Sequence, residues 1–152
     1  MRKKTLLLTG STGFIGYKFL LYALSKNYSV IDILRSKNKK NKKIKKLKTL
    51  YPKKYRNIFF SSNKELSIKL KDTNADYFIN FATLYSNHHL HNQIESFINS
   101  NILFPTIIYD IISNKTKKII NFGSMMQHAH SEKLVSKNFY AATKNAFEMI
   151  GN

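Results

Sequence analysis

The sequence predicts an α/β fold in which one parallel sheet, strands in the order 3-2-1-4-5, is covered by helices on both faces. Three observations predict it. Short apolar runs of strand length alternate with stretches of helical period along the whole chain. The first apolar run stops at a glycine, and two more glycines follow at a three-residue spacing before a helix begins. With 152 residues, 43% of them hydrophobic and no internal repeat or flexible linker, residues 1–152 make one domain with a real core.

The opening stretch, Thr5 to Gly16, reads Thr-Leu-Leu-Leu-Thr-Gly-Ser-Thr-Gly-Phe-Ile-Gly. Gly10 can make the tight turn out of the strand, Gly13 leaves room for backbone to approach a pyrophosphate, and Gly16 lets the helix pack closely. The free N–H groups and positive dipole end of a helix starting near Phe14 then face the phosphates. Ile15, Phe19, Tyr22 and Ala23 fall at i, i+4, i+7 and i+8 and predict the buried face of that helix, which runs to about Lys26. Ser29 to Leu34 is a second strand, ending at Arg35-Ser36. Ile44, Leu47, Leu50 and Tyr51 are spaced for a short helix that Pro52 ends. Asn57 to Phe60 reads as a strand, Glu65 to Lys71 as a helix, and Asp76 to Phe81 as a fourth strand. A long helix spans about Gln93 to Ser113, where Pro105 predicts a kink. Lys118 to Phe122 is the fifth strand, and a helix starts at Asn138. Such a Rossmann-like, doubly wound sheet binds ligands beyond the carboxyl ends of its strands, at the switch between strands 1 and 4.

Composition narrows the chemistry. The chain has no cysteine, which excludes disulfides, zinc-thiolate and iron–sulfur sites and cysteine nucleophiles, and suits a reducing cytoplasm. Met1-Arg2-Lys3-Lys4 and the leucines after it stop at Gly10, short of a signal-peptide core. No stretch reaches the ~18 apolar residues of a membrane helix, so a soluble, cytoplasmic protein with no membrane partner is expected. The net charge is +18, and Lys37 to Arg56 holds ten lysines: Lys37, Lys39, Lys40, Lys42, Lys43, Lys45, Lys46, Lys48, Lys53 and Lys54. Yet only three of the 26 basic residues are arginine (Arg2, Arg35 and Arg56). Arginine is the residue that reads bases bidentately, so a solvated face is expected rather than a specific nucleic-acid site. His88, His89 and His91 lie close together without a completing set of carboxylates, and no metal site is expected. His128 and His130 lack an acidic partner for a hydrolase triad and are expected to line the site or the surface.

Polar residues at strand ends are the site candidates. They are Thr9 to Gly16 after strand 1, Asn80-Phe81-Ala82-Thr83 after strand 4, Gly123-Ser124 after strand 5, and Tyr140 and Lys144 on the next helix. Four residues apart, Tyr140 and Lys144 share one helix face. A lysine ammonium beside a phenol favours the phenolate, moving a tyrosine from its ordinary ~10 toward neutrality so that it can exchange protons with an alcohol or ketone. Ser124 can hydrogen-bond the same oxygen. An isolated pair of this kind is more simply surface packing.

Here the pair is not isolated. Thr9-Gly10-Ser11-Thr12-Gly13-Phe14-Ile15-Gly16, Asn101-Ile102-Leu103-Phe104-Pro105-Thr106, Ser124 and Tyr140-Ala141-Ala142-Thr143-Lys144 occur in that order. In this the chain resembles the extended short-chain dehydrogenase/reductases, the NAD-dependent epimerase/dehydratase family. The Ser124–Tyr140 spacing of sixteen positions, with the segments around both residues, is most similar to the CDP-abequose-synthase type of nucleotide-sugar reductase. The resemblance implies hydride transfer between a nicotinamide and a nucleotide-linked sugar, by 4-keto reduction or epimerisation, and allows a homodimer. It implies Tyr140 as proton donor or acceptor, Lys144 on the nicotinamide ribose and Ser124 orienting the sugar oxygen. Asn101 would stand behind them in a structural or relay role. Gly10, Thr12, Gly13, Phe14, Ile15, Gly16, Arg35, Ser36, Phe81, Ala82, Thr83 and Asn101, with Tyr140 and Lys144, would meet the cofactor. Many NAD-binding members end strand 2 in an acid; here Leu34 stands there, followed by Arg35-Ser36, and a guanidinium there meets a 2′-phosphate, so NADP is favoured over NAD. Asp32, earlier in the strand, should point elsewhere. Ser61-Ser62-Asn63 replaces an acidic adenine contact, and Pro105 a usual glycine. The chain ends where the family adds its C-terminal substrate lobe, so a cofactor-binding remnant or regulatory module without turnover is the second expectation.

Overall fold

The computed structural model describes residues 3–128 and 136–151. Its strands are β1 (Thr5–Thr9), β2 (Ser29–Arg35), β3 (Tyr55–Phe60), β4 (Tyr77–Asn80) and β5 (Lys118–Asn121). All neighbours pair in parallel, in the order β3-β2-β1-β4-β5 that the sequence predicts. The helices are α1 (Phe14–Ser25), α2 (Lys42–Leu50), α3 (Asn63–Leu70), α4 (Ile94–Ile98), α5 (Phe104–Ile112) and α6 (Phe139–Gly151). None of the helices among the described residues is long and apolar enough to cross a membrane. His130, a candidate from the sequence, lies outside the described residues.

Helices on both faces explain why the strands read as continuous apolar runs rather than alternating ones. Successive side chains of β1 go to opposite faces: Leu7 joins Leu66, Leu70, Ile108 and Ile112 of α3 and α5, while Leu6 and Leu8 join Leu20, Leu24, Ile44 and Leu47 of α1 and α2. In α2 the buried pair Ile44 and Leu47 leaves Lys42, Lys43, Lys45 and Lys46 exposed, as a solvated lysine face requires. Asn41 caps this helix, its side chain accepting from the N–H groups of Lys43 and Ile44.

Two local expectations are corrected. The buried face of α1 is Gly16, Leu20, Ala23 and Leu24, whereas Ile15 is 64% exposed and Tyr22 is exposed as well. Phe-Ile-Gly-Tyr-Lys-Phe-Leu-Leu-Tyr-Ala-Leu is apolar nearly all round, so periodicity does not choose its face. The close approach of Gly16 to the carbonyl of Gly10 does. The long helix is not simply kinked: α4 and α5 are joined by a π-helical segment, Asn99–Leu103, and Pro105 stands in the first turn of α5. Proline offers no N–H and crowds the carbonyl four residues back, that of Asn101. The wider π ladder accommodates it. The remaining boundaries shift by a residue or two, β3 starting at Tyr55 and β4 ending at Asn80.

Candidate active site

The carboxyl ends of β1, β4 and β5 are laced by side chains. Thr9 donates to Asn80 at 2.6 Å, and Asn80 donates to Asn121 at 3.0 Å. Thr9 also accepts from the N–H of Ala82 at 3.3 Å, which ties the loop after β4 to the glycine turn. Gly10 adopts φ +73°, and a Cβ there would stand 2.5 Å from the Ala82 nitrogen and the Phe81 carbonyl carbon. Only glycine fits both the conformation and the approach. Gly13 is the N-cap of α1 and supplies no side-chain cap, so the first-turn N–H groups are not satisfied by a capping side chain. Such an uncapped helix start beside a turn suits an anion.

A cleft of about 330 Å³ opens at this point. Gly10, Thr12, Gly13, Arg35, Phe81, Ala82 and Thr83 all line it, at the switch between β1 and β4. Phe81 is held there by rings on two sides, stacked on Phe122 at 4.2 Å and tilted against Phe19 at 5.3 Å. Leu34, at the end of β2 where an acid would stand, is buried. Arg35 reaches across the mouth of the cleft, and its guanidinium donates to Ser100 at 2.8 Å. Ser36 lines an adjoining hollow of about 510 Å³ with Arg35, Ser61, Ser62 and Asn63. There Ser61 donates to Ser36 at 2.8 Å. Phe14, Ile15 and Gly16 lie outside the lining of both spaces; the first two are exposed and Gly16 is buried under the turn.

Of the residues proposed for chemistry, Asn101 bonds two residues of the cleft wall, Thr83 and Leu84. Ser124, Tyr140, Lys144 and Asn101 do not line it, and Tyr140 and Lys144 are only 7% and 6% exposed. Tyr85, from the loop after β4, lies edge-on to the Tyr140 ring with centroids 5.0 Å apart. Burial holds the Lys144 ammonium below the ordinary lysine range, with Glu148 one turn on opposing the shift. Asn101 spends its whole amide on protein groups. It accepts from Leu84 N–H at 2.6 Å and Thr83 at 3.3 Å, and donates to the Leu84 carbonyl and to Thr143, each at 2.9 Å. Thus the π-helical segment clamps the loop after β4 to α6, and the amide has no hydrogen-bonding capacity left for a relay.

Gln127 was not singled out by the sequence. It is fully buried and joins Ser124 to the helix of Tyr140 and Lys144: Oε1 accepts from Ser124 N–H at 2.7 Å, while Nε2 donates to Asn145 at 2.6 Å and Glu148 at 2.7 Å. Its signal was available, since Ser124-Met125-Met126-Gln127 is a capping box around the short 3-10 turn Met125–Gln127. The histidines are accounted for more plainly. His89 stacks on Phe139 at 4.5 Å, and among the described residues no cluster of His, Asp or Glu could hold a metal.

Comparison with known proteins places this architecture. No curated protein matches the sequence. A protein of the short-chain dehydrogenase/reductase type from Burkholderia multivorans, with bound NADP, is similar in fold (TM-score 0.79, 15% identity, covering 97% of this chain and 70% of that one). So are the Bordetella bronchiseptica enzyme WbmG in complex with NAD (TM-score 0.75, 15% identity, 99% of this chain and 49% of that one) and MoeE5 in complex with UDP-glucose and NAD (TM-score 0.74, 16% identity, 97% and 48%). This chain therefore spans about half the length of the last two. Identities this low speak for the fold; the stronger finding is that residues 6–151 match the family model of the NAD dependent epimerase/dehydratase family, and the chain belongs to that family.

Proposed function

We propose that this chain binds NADP in preference to NAD and belongs to an enzyme that reduces or epimerises a nucleotide-linked sugar. The observation that carries the proposal is the buried tie from Ser124 through Gln127 to the helix bearing Tyr140 and Lys144, because a protein that merely senses a dinucleotide has no use for it. The glycine turn and the first turn of α1 would hold the pyrophosphate, and Phe81, Ala82 and Thr83 would flank the dinucleotide beside β4. Arg35 would exchange Ser100 for a 2′-phosphate, a charge-assisted contact that an acid at position 34 would have repelled. A bound nicotinamide supplies or accepts the hydride. Tyr140 would give or take the proton at its hydroxyl oxygen, Lys144 would hold the ribose hydroxyls, Ser124 would orient the sugar oxygen, and Asn101 would position the loop beneath them.

A second function, cofactor binding without turnover, is favoured by the burial of Tyr140 and Lys144. One set of measurements separates the two. Fluorescence titration should give NADPH a roughly tenfold tighter Kd than NADH, the equivalent of ~1.5 kcal/mol, and Arg35→Ala should erase the difference. Equal affinities, or an NADH preference that survives Arg35→Ala, end the NADP assignment. NADPH oxidation with 4-keto sugar nucleotides, abolished by Tyr140→Phe with binding intact, identifies the enzyme. Binding with no turnover identifies the module.

A further inference from the structure

Asp32 sits in the middle of β2, fully buried, and takes no part in the chemistry proposed above. It lies among the apolar side chains packed between the sheet and α1 and α2, where Val30 and Leu34 are its neighbours along the strand. One carboxylate oxygen, Oδ2, accepts two hydrogen bonds: from the hydroxyl of Ser11 at 2.7 Å and from the phenol of Tyr55 at 2.5 Å. The other, Oδ1, has no hydrogen-bond partner among the described residues, and Asn57, which faces Asp32 in the β2–β3 register, acts on the Tyr55 phenol. Ser11 is itself fully buried and stands within the glycine turn, between Gly10 and Gly13.

A carboxyl with one oxygen unsatisfied in an apolar layer is costly to ionise. Burial outweighs the two donors and pushes Asp32 up to about 7. The groups facing it are few. From the turn there is Ser11, and from β3 there are Tyr55 and Asn57. The Tyr55 phenol is raised by burial and by Asp32 itself and remains a donor. From α1 comes Tyr17, which acts on the Tyr55 phenol, and from α2 Lys43, whose ammonium lies 5.2 Å from the centre of the Tyr17 ring. The β1 neighbour in register is Leu8, which is apolar.

We propose that Asp32 is a positioning residue for the phosphate-binding turn, holding it through the Ser11 hydroxyl, and that anion binding at the turn is coupled to uptake of one proton from solvent by the Asp32 carboxyl. The proposal rests on the dinucleotide function above. A pyrophosphate seated on the turn brings negative charge to the residues flanking Ser11, which disfavours the carboxylate and favours the acid. Linkage is reciprocal, so the neutral acid must bind the anion more tightly than the carboxylate does. Affinity therefore falls as pH rises through neutrality.

NADH is the suitable probe, because its phosphates do not titrate in this range. Its Kd should weaken by up to ~tenfold per pH unit as pH rises from about 7 toward the bound midpoint, and Asp32→Asn should flatten that dependence. Parallel profiles for wild type and a folded Asp32→Asn, or a flat wild type, overturn the proposal. If Asp32→Asn does not fold, Tyr55→Phe serves: loss of a donor to the carboxylate should move the midpoint upward, and an unmoved midpoint overturns the proposal. A third measurement needs no cofactor. The amide resonances of Gly10, Ser11, Thr12 and Gly13 should shift with one common midpoint near neutrality in wild type and stay still in Asp32→Asn. If neither NADH nor NADPH binds at any pH, the cofactor assignment falls, and the amides still decide: static resonances in wild type would overturn the coupling of Asp32 to the turn.

Discussion

Alanine at Gly10 tests the glycine turn at its tightest point. The backbone there has φ +73°, a conformation that costs a residue with a Cβ about 1–2 kcal/mol. The added carbon would also stand 2.5 Å from the Ala82 nitrogen and the Phe81 carbonyl carbon, backbone atoms that cannot rotate aside as a side chain would. Crowding of that kind costs about 1–3 kcal/mol, giving roughly 2–5 kcal/mol in all. Gly13→Ala is the internal control. Its φ is −79°, ordinary for any residue, and its nearest Cβ contact is the Gly10 carbonyl oxygen at 3.3 Å, so its cost should stay below about 1 kcal/mol. Urea unfolding followed by circular dichroism measures both. With a slope near ~2 kcal/mol per molar, Gly10→Ala should lower the midpoint by roughly 1–2.5 M and Gly13→Ala by less than about 0.5 M. The order reverses for function, since Gly13→Ala should fold and still lose NADPH affinity where backbone must approach phosphate. Equal midpoints for the two variants, or a Gly10→Ala indistinguishable from wild type, would refute the account of the turn.

Other outcomes follow from the buried charges and the lysine face. Asp32 holds its proton up to about 7 in the folded chain against an ordinary 3.8, so its contribution to stability is full below the lower value and is lost as pH rises through the upper one. The difference amounts to about 4 kcal/mol, and Asp32→Asn should remove that part of the fall in stability; an unchanged slope in denaturation between those pH values speaks against it. Lys144 is depressed by burial, so its charged form is disfavoured in the folded chain and stability should grow as pH rises toward the ordinary lysine range. Lys144→Met should accordingly raise Tm at neutral pH while ending any turnover, and a lowered Tm would contradict the burial argument. The lysines of the segment from 37 to 54 form a solvated face, so nucleic-acid binding should lack sequence preference and vanish as salt passes about 0.2 M. Tight, sequence-selective binding at that salt would show a dedicated site.

The parts of the site that were legible in the sequence are those whose physics is local. The strand-to-turn-to-helix start needs three glycines within seven residues, and the Tyr140/Lys144 pair needs only a helical spacing. Gln127 belonged to a local capping box as well, but its bonds to Asn145 and Glu148 span 18 and 21 residues and left no trace in spacing. The same distance hides the Arg35–Ser100 contact, across 65 residues, and the meeting of Ser11, Asp32 and Tyr55.

By itself the sequence determined the alternation of strands and helices, and with it a parallel sheet whose order follows from right-handed crossovers and short connections. It also determined where the glycine turn stands, because glycine's freedom at Gly10 is a property of one residue. Only the tertiary structure decided which face of the nearly all-apolar α1 is buried, since that choice depends on the fit of Gly16 against the turn. It alone decided that Tyr140 and Lys144 are buried, and that one carboxylate oxygen of Asp32 bonds Ser11 and Tyr55 while the other has no partner among the described residues. Burial and desolvation are sums over neighbours brought from distant parts of the chain, and no window of sequence contains them.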